Sequence, residues 1–146
     1  MQTIEELLRE KKIKVTPQRM AVYAVLQRTK DHPNVEMIYR ELKPNYPAIS
    51  LATVYKTVDI LKKVGLIQEL SFGEGGLRYD SVTLPHAHIF CRNCGKVVDI
   101  ESISPERLRE LLLMESVAEE TGFHISSMQL YFYGLCLYCN NKQSES

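Results

Sequence analysis

Apolar residues recur with the 3.6-residue period of an α-helix in four segments of the first half of the chain. Thr3 and Glu6 form a capping box at the start of the first segment. Thr16 and Pro17 supply an N-cap and an N1 proline to the second segment, and Ser50 caps the fourth. The apolar stripes are Ile4, Leu7 and Leu8; Met20, Val22, Tyr23, Val25 and Leu26; Val35, Ile38 and Leu42; and Leu51, Val54, Val58 and Leu61.

A hairpin is predicted after the fourth helix. Residues 66–70 alternate weakly, as a short strand does, the glycine-rich residues 73–76 predict a turn, and residues 77–79 return as the second strand. Helices followed by one hairpin are typical of a winged helix-turn-helix. We therefore expect residues 1–79 to form a winged-helix domain and residues 80–146 to form a second domain.

The second half has the pattern of a small α/β domain, which makes the fold class of the whole chain α+β. Residues 86–91 and 97–100 predict two strands. Residues 105–121 predict one long helix, capped by a serine and a proline and ended by a glycine. Residues 123–134 predict a long strand rich in aromatic side chains. The polar tail, residues 140–146, is expected to fray.

Composition changes this picture only modestly. The 146 residues are 45% hydrophobic and 25% charged, which is ordinary for a globular protein. No apolar run approaches the roughly 18 residues of a membrane span, and the acidic N-terminus is unlike a signal peptide, so we expect a cytoplasmic protein. The net charge of zero hides an asymmetry, because residues 1–79 hold 13 basic and 9 acidic side chains and residues 80–146 hold 5 and 9. A basic half beside an acidic half favours a nucleic-acid module joined to another domain.

All four cysteines lie in two C-x-x-C pairs, Cys91 with Cys94 and Cys136 with Cys139. Disulfides are one interpretation, but a reducing cytosol disfavours them. A thioredoxin-type redox pair is another, but both pairs would need that role at once. Paired short spacings favour a structural zinc site with four thiolates.

A second set of candidate metal ligands is less specific than the cysteine pairs. His86 and His88 share one face of a predicted strand, and Asp80 and Asp99 lie close to that strand in sequence. Imidazole with carboxylate suits iron, manganese or zinc. His32 is a further candidate in the basic half. Each carboxylate taken alone is more often a surface group, and a loop histidine is more often simply exposed.

The helix that begins after Ser50 is the candidate recognition helix. Its first turn is small and polar, which suits entry into the major groove, although a solvated amphipathic helix has the same pattern. The candidate DNA contacts are Lys14, Gln18, Arg19, Ser50, Ala52, Thr53, Tyr55 and Lys56.

Several motifs, in order along nearly the whole chain, resemble those of the ferric uptake regulator family, and most of all its peroxide-responsive branch. The matching segments are Lys14-Val15-Thr16-Pro17-Gln18-Arg19, Asp31-His32-Pro33, Ala52-Thr53-Val54-Tyr55, Gly65-Leu66-Ile67, Arg78-Tyr79-Asp80, His86-Ala87-His88, Cys91-Arg92-Asn93-Cys94-Gly95-Lys96 and Tyr133-Gly134-Leu135-Cys136-Leu137-Tyr138-Cys139.

The resemblance implies a homodimeric repressor that binds a palindromic operator in double-stranded DNA. It implies a C-terminal dimerisation domain with structural zinc on the four cysteines, and a regulatory ferrous iron or manganese ion between the domains. The regulatory ligands carried over are His32, Asp80, His86, His88 and Asp99.

Asp99 resembles the peroxide branch, since iron-sensing relatives usually carry Glu there. His32 and His86 match the ligand histidines that peroxide oxidises in that branch, after which iron is lost and repression ends. The chain departs from the family pattern at Pro85 and Ala87, within the histidine run of many members, and at Met128, where an additional metal site uses His.

Other functions remain open on the sequence. An iron-responsive repressor is the nearest alternative, followed by a zinc- or manganese-responsive one. A zinc hydrolase or deaminase is a different class. The deaminase pattern needs His-x-Glu and a proline before C-x-x-C, whereas His88 and Phe90 occupy those positions. No other general base stands out near the histidine pair, so we expect no enzyme. A winged-helix module that does not bind DNA is a third class, which the salt dependence of duplex binding would distinguish.

Overall fold

A computed structural model describes residues 1–73 and 76–144 of the chain. The chain divides into two compact units, Met1–Thr83 (unit 1) and a second that begins at Leu84 (unit 2). The functional assignment of each part, with its predicted boundary after residue 79, stays a prediction. Among the residues described, none of the helices combines the length and apolar character that a membrane span requires.

Unit 1 is built from four helices and a hairpin. Its elements are α1 (Ile4–Glu10), α2 (Pro17–Arg28), α3 (Val35–Leu42), α4 (Leu51–Lys63), β1 (Gln68–Ser71) and β2 (Leu77–Asp80). The predicted capping box at Thr3 is confirmed, as are the caps at Thr16 and Ser50. One detail of the predicted stripes is wrong, because Leu51 is 37% exposed rather than buried. As the first residue of α4, it lies beyond the end of the core that buries Val54 and Val58.

The four helices enclose one hydrophobic core. Its fully buried members include Leu8, Val22, Ile38 and Val54, and Tyr79 from β2 joins it. β1 and β2 pair antiparallel, with Glu69 opposite Tyr79. Residues 74 and 75 of the predicted turn lie outside the described residues. Helices followed by this hairpin are the predicted winged helix-turn-helix architecture.

Unit 2 is a three-stranded sheet with three short helices. Its elements are β3 (Ala87–Cys91), β4 (Val97–Ile100), α5 (Pro105–Leu111), α6 (Met114–Thr121), β5 (Leu130–Gly134) and α7 (Leu137–Ser144). The strand order is β4-β3-β5, in which β3 pairs antiparallel with β4 and parallel with β5. This mixture of sheet and helix confirms the predicted α+β class.

The long helix predicted over residues 105–121 is wrong, because the chain breaks between α5 and α6. Leu113 adopts a left-handed backbone with φ of 51°, which cannot continue a helix. α5 therefore ends at Leu111, and α6 begins at Met114.

Two other predictions in this half are corrected. β5 begins at Leu130 rather than at residue 123, because Leu130 pairs with Ala87, the first residue of β3. The residue two positions before Ala87 is Pro85, which has no N–H to extend the ladder. The tail predicted to fray is instead helical in α7, which begins inside the second C-x-x-C pair.

Candidate functional site

The four cysteines meet at one end of the unit 2 sheet. Cys91 ends β3, Cys94 follows in the next turn, and Cys136 and Cys139 lie at the start of α7. Their sulfur atoms all lie within 4.8 Å of one another, and all four cysteines are free thiols rather than disulfides. Cys94 Sγ and Cys136 Sγ are 3.8 Å apart. A tetrahedral zinc ion with Zn–S bonds of about 2.3 Å has S–S edges of about 3.8 Å, so the cluster fits structural zinc.

Hydrogen bonds and burial shift the pKa values of two thiols of this cluster in opposite directions. Backbone hydrogen bonds from Cys94 and Cys136 lower the pKa of Cys91 to about 6. The side chain of Asn93 donates to Cys139 Sγ at 3.3 Å and lowers the pKa of that thiol. Hydrogen bonds with neighbouring thiols and burial outweigh this effect and raise the pKa of Cys139 to about 11. A bound cation would keep all four thiols deprotonated, including Cys139, because metal ions bind the thiolate form.

A second group of ligands in unit 2, the His86–His88–Asp99 cluster, lies on the same sheet. The register places His88 of β3 opposite Asp99 of β4. Asp99 Oδ1 lies 3.4 Å from His86 Nε2 and 3.3 Å from His88 Nε2. Ligand atoms about 2.1 Å from one metal ion lie roughly 3.0–3.4 Å apart, so these three side chains are spaced for a shared ion.

The His86 ring is held by the backbone. His86 Nδ1 lies 2.8 Å from the carbonyl oxygen of Leu84. Because a carbonyl can only accept, Nδ1 carries the proton, which makes Nε2, beside Asp99, the ring atom that can bind a metal. Such an outer hydrogen bond fixes the tautomer that a metal ligand requires. The sequence pattern did not indicate this carbonyl.

In unit 1, the His32–Asp80 pair is a separate group of candidate ligands. His32 Nδ1 and Asp80 Oδ2 are 3.6 Å apart, and both side chains are buried. Asp80 uses its other oxygen, Oδ1, to accept from the backbone N–H of Val82 at 2.9 Å. Oδ2 therefore faces the imidazole while Oδ1 fixes the carboxylate.

Arg78 clamps the loop that carries His32. Its Nε donates to the carbonyl of His32, and a terminal guanidinium nitrogen donates to the carbonyl of Asp31 at 2.7 Å. The backbone N–H of Tyr79 donates to Pro33 at 3.1 Å. His32 has φ of 50°, a left-handed conformation that costs energy in a non-glycine residue. Burial lowers the pKa of Arg78, and Asp31 raises it by charge. Although Arg78 belongs to a recognised motif, its spacing alone does not indicate this clamp.

The candidate DNA contacts fall into two groups at the surface of unit 1. Ser50, Ala52, Tyr55 and Lys56 are exposed on the first turns of α4, and Tyr55 is 52% exposed. Thr53 is half-buried, and its hydroxyl lies 2.9 Å from Ser50 Oγ within the cap.

The second group surrounds the start of α2. Lys14 is exposed, whereas Gln18 and Arg19 are half-buried. Arg19 uses one guanidinium nitrogen to donate to the carbonyl of Lys14 at 3.0 Å. A role of either group in DNA binding stays a prediction.

Known proteins resemble the chain over most of its length. The model of the ferric uptake regulator family matches residues 10–133. The peroxide operon regulator of Bacillus subtilis (strain 168) is 36% identical over 139 residues, which are 95% of this chain and 92% of that protein. The crystal structure of the Campylobacter jejuni peroxide stress regulator is 31% identical, with a TM-score of 0.72 over 95% of this chain and 100% of that one. A zinc-bound manganese uptake regulator is 34% identical, with a TM-score of 0.69 over 93% and 100% of the two chains.

Proposed function

The chain belongs to the ferric uptake regulator family, and we propose that it is a metal-dependent DNA-binding transcriptional repressor that senses hydrogen peroxide. Regulators of this family bind DNA and act as dimers. The similarity to peroxide regulators of Bacillus subtilis and Campylobacter jejuni supports the choice of signal. We place its action in the cytoplasm, where a repressor meets its operator.

The regulatory ion, in this proposal, is held by five side chains drawn from both units: His32, Asp80, His86, His88 and Asp99. The observation that carries the proposal is the spacing of the His86–His88–Asp99 cluster around one carboxylate oxygen. Three imidazoles and two carboxylates suit ferrous iron or manganese. Since the ligands come from both units, metal binding and DNA binding would be reciprocally linked.

Oxidation of the chain itself would be the signal. Ferrous iron, when bound, would catalyse cleavage of the O–O bond of hydrogen peroxide, and the imidazole would supply the two electrons of the net reaction. One peroxide oxygen is then added to the imidazole of His32 or His86 and the other leaves as water. The modified ring is a poorer ligand, so the metal is lost and repression ends.

A homodimer on a palindromic operator completes the proposal. Two features of unit 2 support self-association. Val98, Ile89 and Phe132 form an apolar row across the three strands, and each is more than 40% exposed. β5 is also an edge strand of its sheet, which can pair with a strand of a second copy. A two-fold dimer would present two α4 helices to two half-sites.

The mass of the iron-loaded protein tests this function. We expect stoichiometric hydrogen peroxide, added without oxygen, to give a single-oxygen adduct on a peptide that holds His32 or His86. The same protein loaded with manganese is the control and is expected to stay unmodified. An iron-loaded protein that gains no oxygen and keeps its DNA affinity contradicts peroxide sensing.

We expect Asp99→Glu to blunt the peroxide response while metal-dependent DNA binding is retained. The longer side chain keeps a carboxylate but moves its oxygen relative to His86 and His88, which now lie 3.4 and 3.3 Å from Asp99 Oδ1. The measurement is the yield of oxygenated peptide per added peroxide, beside operator affinity. A fully responsive variant would show that Asp99 does not distinguish peroxide sensing from iron sensing.

An iron-responsive repressor is the second candidate, and a zinc- or manganese-responsive one follows. The similarity to a zinc-bound manganese uptake regulator supports the zinc- or manganese-responsive alternative. Titration of operator binding with ferrous, manganese and zinc ions separates these functions. Release on metal removal alone, with no effect of peroxide on the iron form, would favour the iron-responsive alternative.

A further inference from the structure

A row of aromatic rings leads away from His88 within unit 2. The parallel register of β3 and β5 places His88 beside Tyr131 and Phe90 beside Tyr133. The ring centres of His88 and Tyr131 are 6.0 Å apart, and those of Tyr131 and Tyr133 are 6.5 Å apart. Tyr131 and Tyr133 share one face of β5, since side chains alternate along a strand.

We propose that Tyr131 and Tyr133 form an electron relay that reduces peroxide without oxygenating a ligand histidine. The relay rests on the proposed function, because peroxide must first react beside His88. Electron transfer weakens steeply with distance, so rings on paired strands are the favoured route from this cluster. The relay would set how much peroxide the protein tolerates before repression ends.

The two fates of peroxide consume the same number of electrons. In histidine oxygenation, hydrogen peroxide and one imidazole give an oxygenated imidazole and water. In the relay, hydrogen peroxide takes one electron from each of two tyrosines, and the two phenolic protons, exchanged through water, balance the reaction. The O–O bond breaks, two water molecules form, and two tyrosyl radicals remain. Hydrogen peroxide is the only oxidant in both reactions, and no oxygen atom is added to the chain in the second.

The neighbours of each phenol fit the proposed electron transfer: one positions the Tyr131 ring, and another sets how Tyr133 loses its proton. The Tyr131 hydroxyl donates to Gln129 Oε1, which holds the ring in position beside His88. The Arg92 guanidinium lies 4.5 Å from the Tyr133 ring centre. A cation at this position disfavours a positively charged ring, so Tyr133 must release its proton together with the electron. Tyr133 is 41% exposed, so water can accept that proton.

Spin trapping with peptide mapping tests the relay. The iron-loaded protein is mixed with stoichiometric hydrogen peroxide and a nitroso spin trap, and trap adducts and histidine oxygenation are quantified together. Of the two tyrosyl radicals, the exposed one at Tyr133 is the more accessible to the trap, so we expect the main trap adduct at Tyr133 in the wild type. Tyr131→Phe removes the phenol but keeps the ring, and we expect loss of the Tyr133 adduct with a rise in oxygenated His32 or His86.

Tyr138→Phe is the matched control, because Tyr138 is an exposed tyrosine whose ring lies beside Lys142. We expect it to keep the wild-type distribution of both products. Tyr133→Phe provides a second variant at the exposed end and should move the adduct to Tyr131. Zinc and iron content are measured for every variant, so that a misfolded one is recognised.

The outcomes separate the relay from the proposed function. Histidine oxygenation without a tyrosine adduct in the wild type overturns the relay and leaves peroxide sensing intact. Tyrosine adducts that depend on Tyr131, with no histidine oxygenation in any variant, support the relay and overturn the histidine mechanism. An unchanged Tyr133 adduct in a folded Tyr131→Phe variant overturns the relay.

Discussion

Replacing Cys136 by serine is expected to unfold much of unit 2 while the helices of unit 1 stay folded. Cys136 contributes a thiol 3.8 Å from Cys94 Sγ, and its N–H donates to Cys91 Sγ at 3.3 Å. A serine hydroxyl is a poor zinc ligand, since zinc favours deprotonated sulfur in closed four-coordinate sites. We expect zinc content to fall from about one ion per chain to near zero.

The thin core of unit 2 makes this effect large. Among the described residues, its fully or nearly buried side chains are Ala87, His88, Phe90, Cys91, Val97, Leu108 and Cys139. Two of these are cysteines of the cluster itself. A core this small rarely holds a domain without a metal, disulfide or partner subunit. The hydrophobic core of unit 1 has its own members, from Leu8 to Tyr79, and does not depend on the cysteines.

Hydrogen exchange read peptide by peptide measures this difference. We expect protection to be lost in β3, β5 and α7 and kept in α2 and α4. Tyr138→Phe changes a neighbouring exposed residue and should leave protection and zinc content unchanged. Chelation of zinc from the wild type should cause the same loss of protection as Cys136→Ser. Added zinc should restore protection in the chelated wild type but not in the variant. Full protection of β5 in zinc-free Cys136→Ser protein would show that zinc does not hold the fold.

The elements that could be predicted are those whose signals are local. The Ser50 cap and the period of α4 lie within a few residues of each other, and β4 was predicted with its observed bounds, Val97–Ile100. The two C-x-x-C pairs indicated their cluster because zinc imposes both the residue type and the spacing. In each case the residues that determine the element or the cluster can be read from a short stretch of the sequence.

The mispredicted elements lack a local signal for what the structure shows. Apolar residues continue through Leu113, and nothing in that run marks the left-handed break there. The polar composition of α7 predicts fraying, but its first turn is held by the cysteine cluster, and Asn140 N–H donates to Cys136 O at 2.9 Å. In α7, tertiary structure overrides propensity.

Arg78 also acts at a distance, across 46 positions of sequence from His32. We expect Arg78→Met to weaken regulatory metal binding by about 10- to 100-fold, the usual effect of losing a residue that orients a metal ligand. The variant keeps a long side chain but donates nothing to the carbonyls of Asp31 and His32. Each carbonyl left without this donor costs about 1–3 kcal/mol where it is buried. His32 would then leave its left-handed conformation, and with it the position beside Asp80.

Arg28→Met is the matched control, because Arg28 forms an exposed ion pair with Glu41 that is worth about 1 kcal/mol or less. Ferrous and manganese titrations of both variants, with zinc content held equal, give the metal affinities. Arg78→Lys separates charge from geometry, since one ammonium cannot reach two carbonyls as the guanidinium fork does. We expect it to recover only part of the lost affinity. Wild-type affinity in Arg78→Met would show that the loop holds His32 without the clamp, and equal losses in both methionine variants would point to a general effect of removing charge.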